Sequence, residues 1–133
     1  MAQMQQAVAN LKRQHDSDAA ELKKLEKLIM KATENYSEYS KQKLENEMVL
    51  KELSLLGEDA AVFKKIGPCL IKQDNIEARV NVEKRVEYIT AELERTDKQQ
   101  TAWEEKRRSL AQNLKKVQDQ VQQIMHSASQ AES

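Results

Sequence analysis

The chain has 133 residues with 22 basic and 22 acidic side chains, but only 2 Gly, 1 Pro and 5 aromatic residues. Turns depend on Gly and Pro for their special backbone angles, and compact cores use aromatic side chains for much of their buried area. The composition therefore argues against a many-stranded sheet and against an active site carried on loops. It favours one elongated, mainly helical domain over residues 1–133.

Apolar residues recur in a heptad pattern along residues 1–56. Two lines of positions at seven-residue steps, one from Met1 and one from Met4, are apolar at 12 of 16 places. Such a narrow stripe is typical of a coiled-coil seam and predicts a long first helix over residues 1–56.

The period changes in the middle of the chain. Two short, apolar-rich runs, Ala61 to Ile66 and Cys69 to Gln73, flank the dipeptide Gly67-Pro68. This pattern predicts a β-hairpin over residues 61–73. Gly57 is expected to end the first helix in a left-handed conformation, and Asp74 or Asn75 to cap the second, with Glu77 in its first turn.

A second heptad pattern predicts a helix over residues 75–128, with 11 of 14 seam positions apolar. Because the two arms have similar lengths, we expect them to fold back on each other. In that arrangement, residues whose numbers sum to about 132 are expected to face each other, for example Leu22 and Leu110. The predicted fold is mainly α, a long antiparallel coiled-coil hairpin with one short β-hairpin between its helices. Four polar seam residues either fix the register or are solvated at a loose seam: Asp18, Lys43, Asn46 and Arg107.

The predicted β-hairpin lacks a third strand to cover its apolar side chains. A two-stranded hairpin alone is marginally stable in water, and its unpaired edges invite strand addition. We therefore predict that hairpins of several chains join, which makes this the oligomerisation element. The alternative is a hairpin folded down on its own helices. The residues assigned to the element are Val62, Phe63, Ile66, Gly67, Pro68, Leu70 and Ile71.

Charge is absent from residues 1–11 and 120–131, although a third of the chain is charged. We call these two stretches the tip segments. Flexible Met and uncharged polar groups suit a surface that repacks against varied partners, so the tip segments are candidate client-binding elements. The alternative is a seam that frays at its ends. The candidate residues are Met1, Met4, Val8, Leu11, Val121, Ile124 and Met125.

The remaining chemistry points away from catalysis. His15 and His126 fall several helical turns apart, and Cys69 lies in an apolar strand where a buried, inert thiol is expected. We predict no enzyme activity, no metal, no cofactor and no disulfide, and neither a nucleic-acid nor a membrane partner. One cluster of cations, interrupted by glutamates, could grip RNA but is better explained as a solvated helix surface. It consists of Lys23, Lys24, Lys27, Lys106, Arg107 and Arg108.

The stretch over residues 49–95 resembles β-type subunits of prefoldin. The similar motifs are VLKEL before the hairpin, VFKKIGPCLIKQD within it and EARVNVEKRVEYI after it. Cys69 departs from the valine more common in that family, and residues before Leu22 match no family motif, which weakens the inference for the first tip segment.

This resemblance implies a role in a hexamer of two α-type and four β-type subunits. The family holds non-native polypeptides, notably actin and tubulin, at its coiled-coil tips without ATP. It delivers them to the cytosolic chaperonin, so a cytoplasmic location is expected. The competing hypothesis is a passive antiparallel coiled-coil scaffold or tether without holdase activity.

Overall fold

A computed structural model describes residues 2–57 and 59–132. The elements are α1 (Ala2–Leu55), β1 (Val62–Ile66), β2 (Cys69–Gln73) and α2 (Asn75–Glu132), and the two strands form one antiparallel sheet. The predicted order of helix, β-hairpin and helix is confirmed. Helix α2 continues past the predicted end at residue 128, since no Gly or Pro occurs after Pro68 to stop it.

The chain divides into two compact units. The first unit combines residues 1–32 with residues 99–133, and the hairpin unit covers residues 33–98. In the first unit the buried side chains are Leu25, Ala32, Leu110 and Val117, all at predicted seam positions. The nitrogen atoms His15 Nε2 and Gln118 Nε2 lie 3.3 Å apart, in agreement with the predicted antiparallel register.

The hairpin unit has its own small core. Leu53 of α1 packs with Ala78 and Val82 of α2, and Leu50, Val62 and Val86 surround them. Leu50 and Val82 therefore lie in one cluster, as the register predicts. The contact of Val62 with this cluster anchors the first residue of β1 to the helices.

Polar seam residues find partners within their own helix. The Asn46 side-chain amide donates to the Gln42 carbonyl at 2.7 Å, and Arg107 Nη2 lies 2.8 Å from Glu104 Oε2. Lys43 Nζ is 3.9 Å from an oxygen of Glu47, also on α1. The partners of these three residues are therefore local and do not lie across the seam. Asp18 differs, since its Oδ2 atom is buried and has no hydrogen-bond partner among the described residues.

The prediction that Gly57 adopts a left-handed conformation is wrong. Among the described residues, positive φ occurs only at Gly67, with φ of 58°. Helix α1 is closed instead from α2, where Arg79 Nη2 donates to the Leu53 carbonyl at 3.2 Å. The Leu56 amide donates to the same carbonyl at 3.3 Å. A cation at a helix C-terminus also interacts favourably with the helix dipole, so the left-handed glycine cap is not needed here.

Asp74 is the one of the two predicted cap residues that caps the start of α2. Its Oδ1 atom accepts a hydrogen bond from the Ile76 amide at 3.4 Å, and its carbonyl accepts one from the Ala78 amide at 2.9 Å. The other candidate, Asn75, donates its side-chain amide to the Gly57 carbonyl at 3.5 Å. This bond links the start of α2 to the segment that follows α1.

We expect Ile89→Ala to lower the free energy of unfolding by about 2–4 kcal/mol, because Ile89 is buried and the truncation leaves a cavity. Ile76→Ala on the same helix is the matched control, since Ile76 is exposed. It should change stability by less than about 0.5 kcal/mol. Urea unfolding of the isolated chain, followed by circular dichroism, measures both. Equal losses would show that Ile89 is not part of a packed core.

We expect Arg79→Met to cost about 1 kcal/mol, because it removes the donor to the Leu53 carbonyl but keeps most of the side-chain stem. Arg79 Nε is buried without a hydrogen-bond partner among the described residues, and losing it offsets part of this cost. Arg85→Met, at an exposed position on α2, is the control. If both variants unfold at the same urea concentration, the arginine does not stabilise the end of α1.

Candidate functional site

The register of the β-hairpin decides which side chains share a face. Residues paired directly across the strands point to the same side of the sheet, and the pairs run from Val62 with Gln73 to Ile66 with Cys69. One face therefore carries Val62, Lys64, Ile66, Cys69, Ile71 and Gln73, and the other carries Phe63, Lys65, Leu70 and Lys72.

Most of the hairpin's apolar surface is uncovered. Phe63, Ile66, Leu70 and Ile71 are between 51% and 69% exposed, whereas Val62 is half-buried against the small core. The hairpin is thus attached through Val62 and is not folded down onto its own helices along its length. Cys69 was expected to be buried, but it is exposed because none of the described residues of the hairpin unit covers this end of β2.

Gly67 and Pro68 form the two-residue turn between Ile66 and Cys69. The positive φ of Gly67 suits the first central position of a type II′ turn, and the fixed negative φ of Pro68 suits the second. This turn matches the twist of the flanking strands. It therefore sets the register that distributes the side chains between the two faces.

The tip segments meet in the first unit and line two open grooves of about 290 Å³ each. One groove contains Leu11 and Val121, and the other contains Met4, Val8, Ile124 and Met125. The structure thus brings together six of the seven candidate client-binding residues. The seventh, Met1, lies outside the described residues.

Lys12 lines both grooves and was missed by the sequence analysis, which stopped at the charge-free stretch ending at Leu11. Helical spacing could have found it, since Lys12 follows Val8 by four residues. The grooves are therefore apolar with a cation at the rim rather than free of charge. Met125 is 63% exposed, which leaves a flexible thioether available to an incoming chain.

His15 has a structural contact within the first groove. Its Nε2 atom lies 3.3 Å from the side-chain nitrogen of Gln118. Its Nδ1 atom lies 3.6 Å from Asp16 Oδ1. His126 instead contacts Gln130 on α2. The two histidines are held separately and do not form a shared site.

Other candidate chemistry is sparse. Within the described residues, no group of three or more His, Cys, Asp or Glu side chains could hold a metal ion. The hydrogen bond and charge of Glu92 raise the pKa of the Arg95 guanidinium, which stays protonated. In the cationic cluster, Lys106 pairs with Glu21 at 3.0 Å, and Arg107 pairs with Glu104. These pairs reduce the positive charge available to a nucleic acid.

None of the helices in the described part of the chain combines the length and the apolarity that crossing a membrane requires.

Comparison with known proteins identifies the family. Residues 19–121 match the family model described as prefoldin subunit. Prefoldin subunit 6 of Arabidopsis thaliana is 46% identical over 117 residues, which cover 88% of this chain and 91% of the relative. Prefoldin subunit 6 of Homo sapiens is 40% identical over 92 residues, covering 66% of this chain and 71% of the relative.

The solved structure of the prefoldin beta subunit from Thermococcus strain KS-1 matches with a TM-score of 0.55 at 20% sequence identity. The match covers 83% of this chain and 90% of that one, and at this identity it supports the fold alone. The family model and the relatives cover most of the chain, including both helices and the hairpin. The chain therefore belongs to the prefoldin subunit family, whose members are components of a chaperone complex.

Proposed function

We propose that the chain is a β-type subunit of a cytoplasmic prefoldin hexamer, together with two α-type and three further β-type subunits. In this role it is an ATP-independent holdase. Its tip segments hold non-native polypeptides such as actin and tubulin, and the complex delivers them to the cytosolic chaperonin. The observation that carries the proposal is the pair of open apolar grooves that the tip segments form together.

The grooves suit clients that have no common sequence. Binding by buried apolar area is non-directional, and the unbranched side chains of Met4 and Met125 adapt to different shapes. Each groove is small, so one subunit contributes weak binding. Useful affinity arises when several subunits engage one unfolded chain at once.

The hairpin supports assembly rather than client holding. Its four exposed apolar side chains and two unpaired strand edges are stabilised when neighbouring subunits cover them. Holding a client in this way makes and breaks no covalent bond. The proposed function is accordingly non-enzymatic and needs no cofactor, nucleic acid or membrane.

We expect the double substitution Met4→Gln/Met125→Gln to reduce client protection partially, because it removes the exposed apolar groups of one groove from one subunit of the complex. Met30→Gln/Met48→Gln makes the same chemical change at two exposed sites outside the grooves and should leave protection unchanged. Light scattering of denatured actin diluted into equal concentrations of each reconstituted hexamer measures the effect. Equal protection by all three complexes would favour the passive scaffold.

We expect Phe63→Asp/Ile71→Asp to prevent entry into the hexamer while leaving helix content nearly unchanged. A carboxylate buried at a shared apolar interface loses its hydration, and the apolar contact is lost with it. Leu28→Asp/Met30→Asp, at exposed positions of α1, is the control. Native mass spectrometry after mixing with the other subunits measures incorporation. Normal incorporation of the hairpin variant would show that assembly uses another surface.

A further inference from the structure

Among the described residues, Lys12 is the only one whose side chain lines both tip grooves. It follows the charge-free stretch of residues 1–11 directly, and it is exposed. Within the described part of the chain it takes part in no ion pair. Its positive charge is therefore available at the opening of both grooves.

The rest of the groove lining is apolar or polar without formal charge, apart from the titratable imidazole of His15. No Asp or Glu among the described residues lines either groove. Asp16 lies 3.6 Å from His15, but the Asp16 side chain is 86% exposed and belongs to neither lining. A ligand in the grooves thus meets apolar walls and the ammonium group of Lys12.

The two grooves follow each other along α1. One is lined from Met4 to Lys12 and the other from Leu11 to His15, so their midpoints lie about five residues apart, or roughly 8 Å at 1.5 Å per residue. An extended polypeptide covers this distance in about two to three residues. The flexible four-carbon stem of a lysine lets its ammonium group reach a ligand in either groove.

A short unfolded segment can therefore occupy both grooves at once, with apolar side chains on either side of the residue that lies nearest Lys12. An acidic residue at that place is attracted by the ammonium group and can accept a charge-assisted hydrogen bond from it. A basic residue at the same place is repelled, and an uncharged one experiences neither effect.

We propose that Lys12 makes the tip grooves selective for unfolded segments in which Asp or Glu lies between apolar residues. Segments with Lys or Arg in that place are disfavoured. Lys12 is thus a specificity-determining residue. This inference rests on the proposed client-binding function and adds the chemical class of segment that the grooves prefer.

The test uses three peptides that differ only in a central Glu, Gln or Lys between two pairs of leucines, with Gly and Ser at both ends for solubility. Each is titrated into the full-length chain with ¹³C-labelled methionine methyl groups. The NMR signals of Met4 and Met125 report binding in the groove that they line, and those of Met30 and Met48, which lie outside the grooves, should not shift.

At low ionic strength we expect the Glu peptide to bind about threefold more tightly than the Gln peptide, and the Lys peptide about threefold more weakly, because the ammonium group of Lys12 is exposed. The differences should disappear as salt rises to about 1 M, where screening reduces the range of the interaction to about 3 Å.

Two variants assign the effect to Lys12. Lys12→Gln should bind the three peptides equally well, and Lys12→Glu should reverse their order, which a role in packing alone would not do. Lys24→Gln is the matched control, since it makes the same chemical change at an exposed position of α1 that lines neither groove. It should keep the wild-type order. Circular dichroism checks that each variant is folded.

Equal binding of the three peptides to the wild type, an unchanged order with Lys12→Gln, or loss of the order with Lys24→Gln would overturn the inference. If a Lys12 variant does not fold, the three peptides and their salt dependence on the wild type still decide it. Failure of the proposed function is distinguishable. Equal binding in the groove retains client holding and removes only the selection by charge, whereas no binding by any peptide overturns both.

Discussion

A seam between two helices buries side chains from only about two positions in each heptad, and this number limits how much apolar surface the fold can bury. The first unit buries Leu25, Ala32, Leu110 and Val117, and the hairpin unit centres on a cluster as small as Leu53, Ala78 and Val82. With few aromatic residues to enlarge either core, the remaining apolar side chains stay at the surface. Exposed apolar groups are thus a consequence of the architecture, and their location decides what they can bind.

The same limit produces two different surfaces. Where the tip segments pack against each other, the seam is lined by Met, Val, Ile and Leu, and it opens into grooves with Lys12 at the rim. At the hairpin, strand alternation mixes lysines with apolar residues on both faces. The first surface carries the flexible side chains of Met4 and Met125. The second has a register that the turn fixes, so its apolar and cationic side chains lie at defined places on the two faces.

Individual polar side chains make short hydrogen bonds and ion pairs within the helices and at the base of the hairpin. Asn46 and Arg107 have their polar partners within their own helices rather than across the seam. At the hairpin base, Arg79 and Asn75 reach across from α2 to carbonyls of Leu53 and Gly57. These two hydrogen bonds connect the end of α1 and the adjacent Gly57 to the start of α2.

The sequence by itself determined the two helices, the hairpin and the antiparallel register, left Asp74 and Asn75 as candidate caps of α2, and named six of the residues that line the tip grooves. Heptad and strand periodicities are local patterns, and with almost no Gly or Pro they had few competing interpretations. Only the tertiary structure decided that Arg79 rather than Gly57 closes α1, that Cys69 is exposed and that Lys12 borders both grooves. Each of these depends on which side chains from distant parts of the chain lie close enough to donate a hydrogen bond, cover a strand or line a groove, and periodicity does not encode those distances.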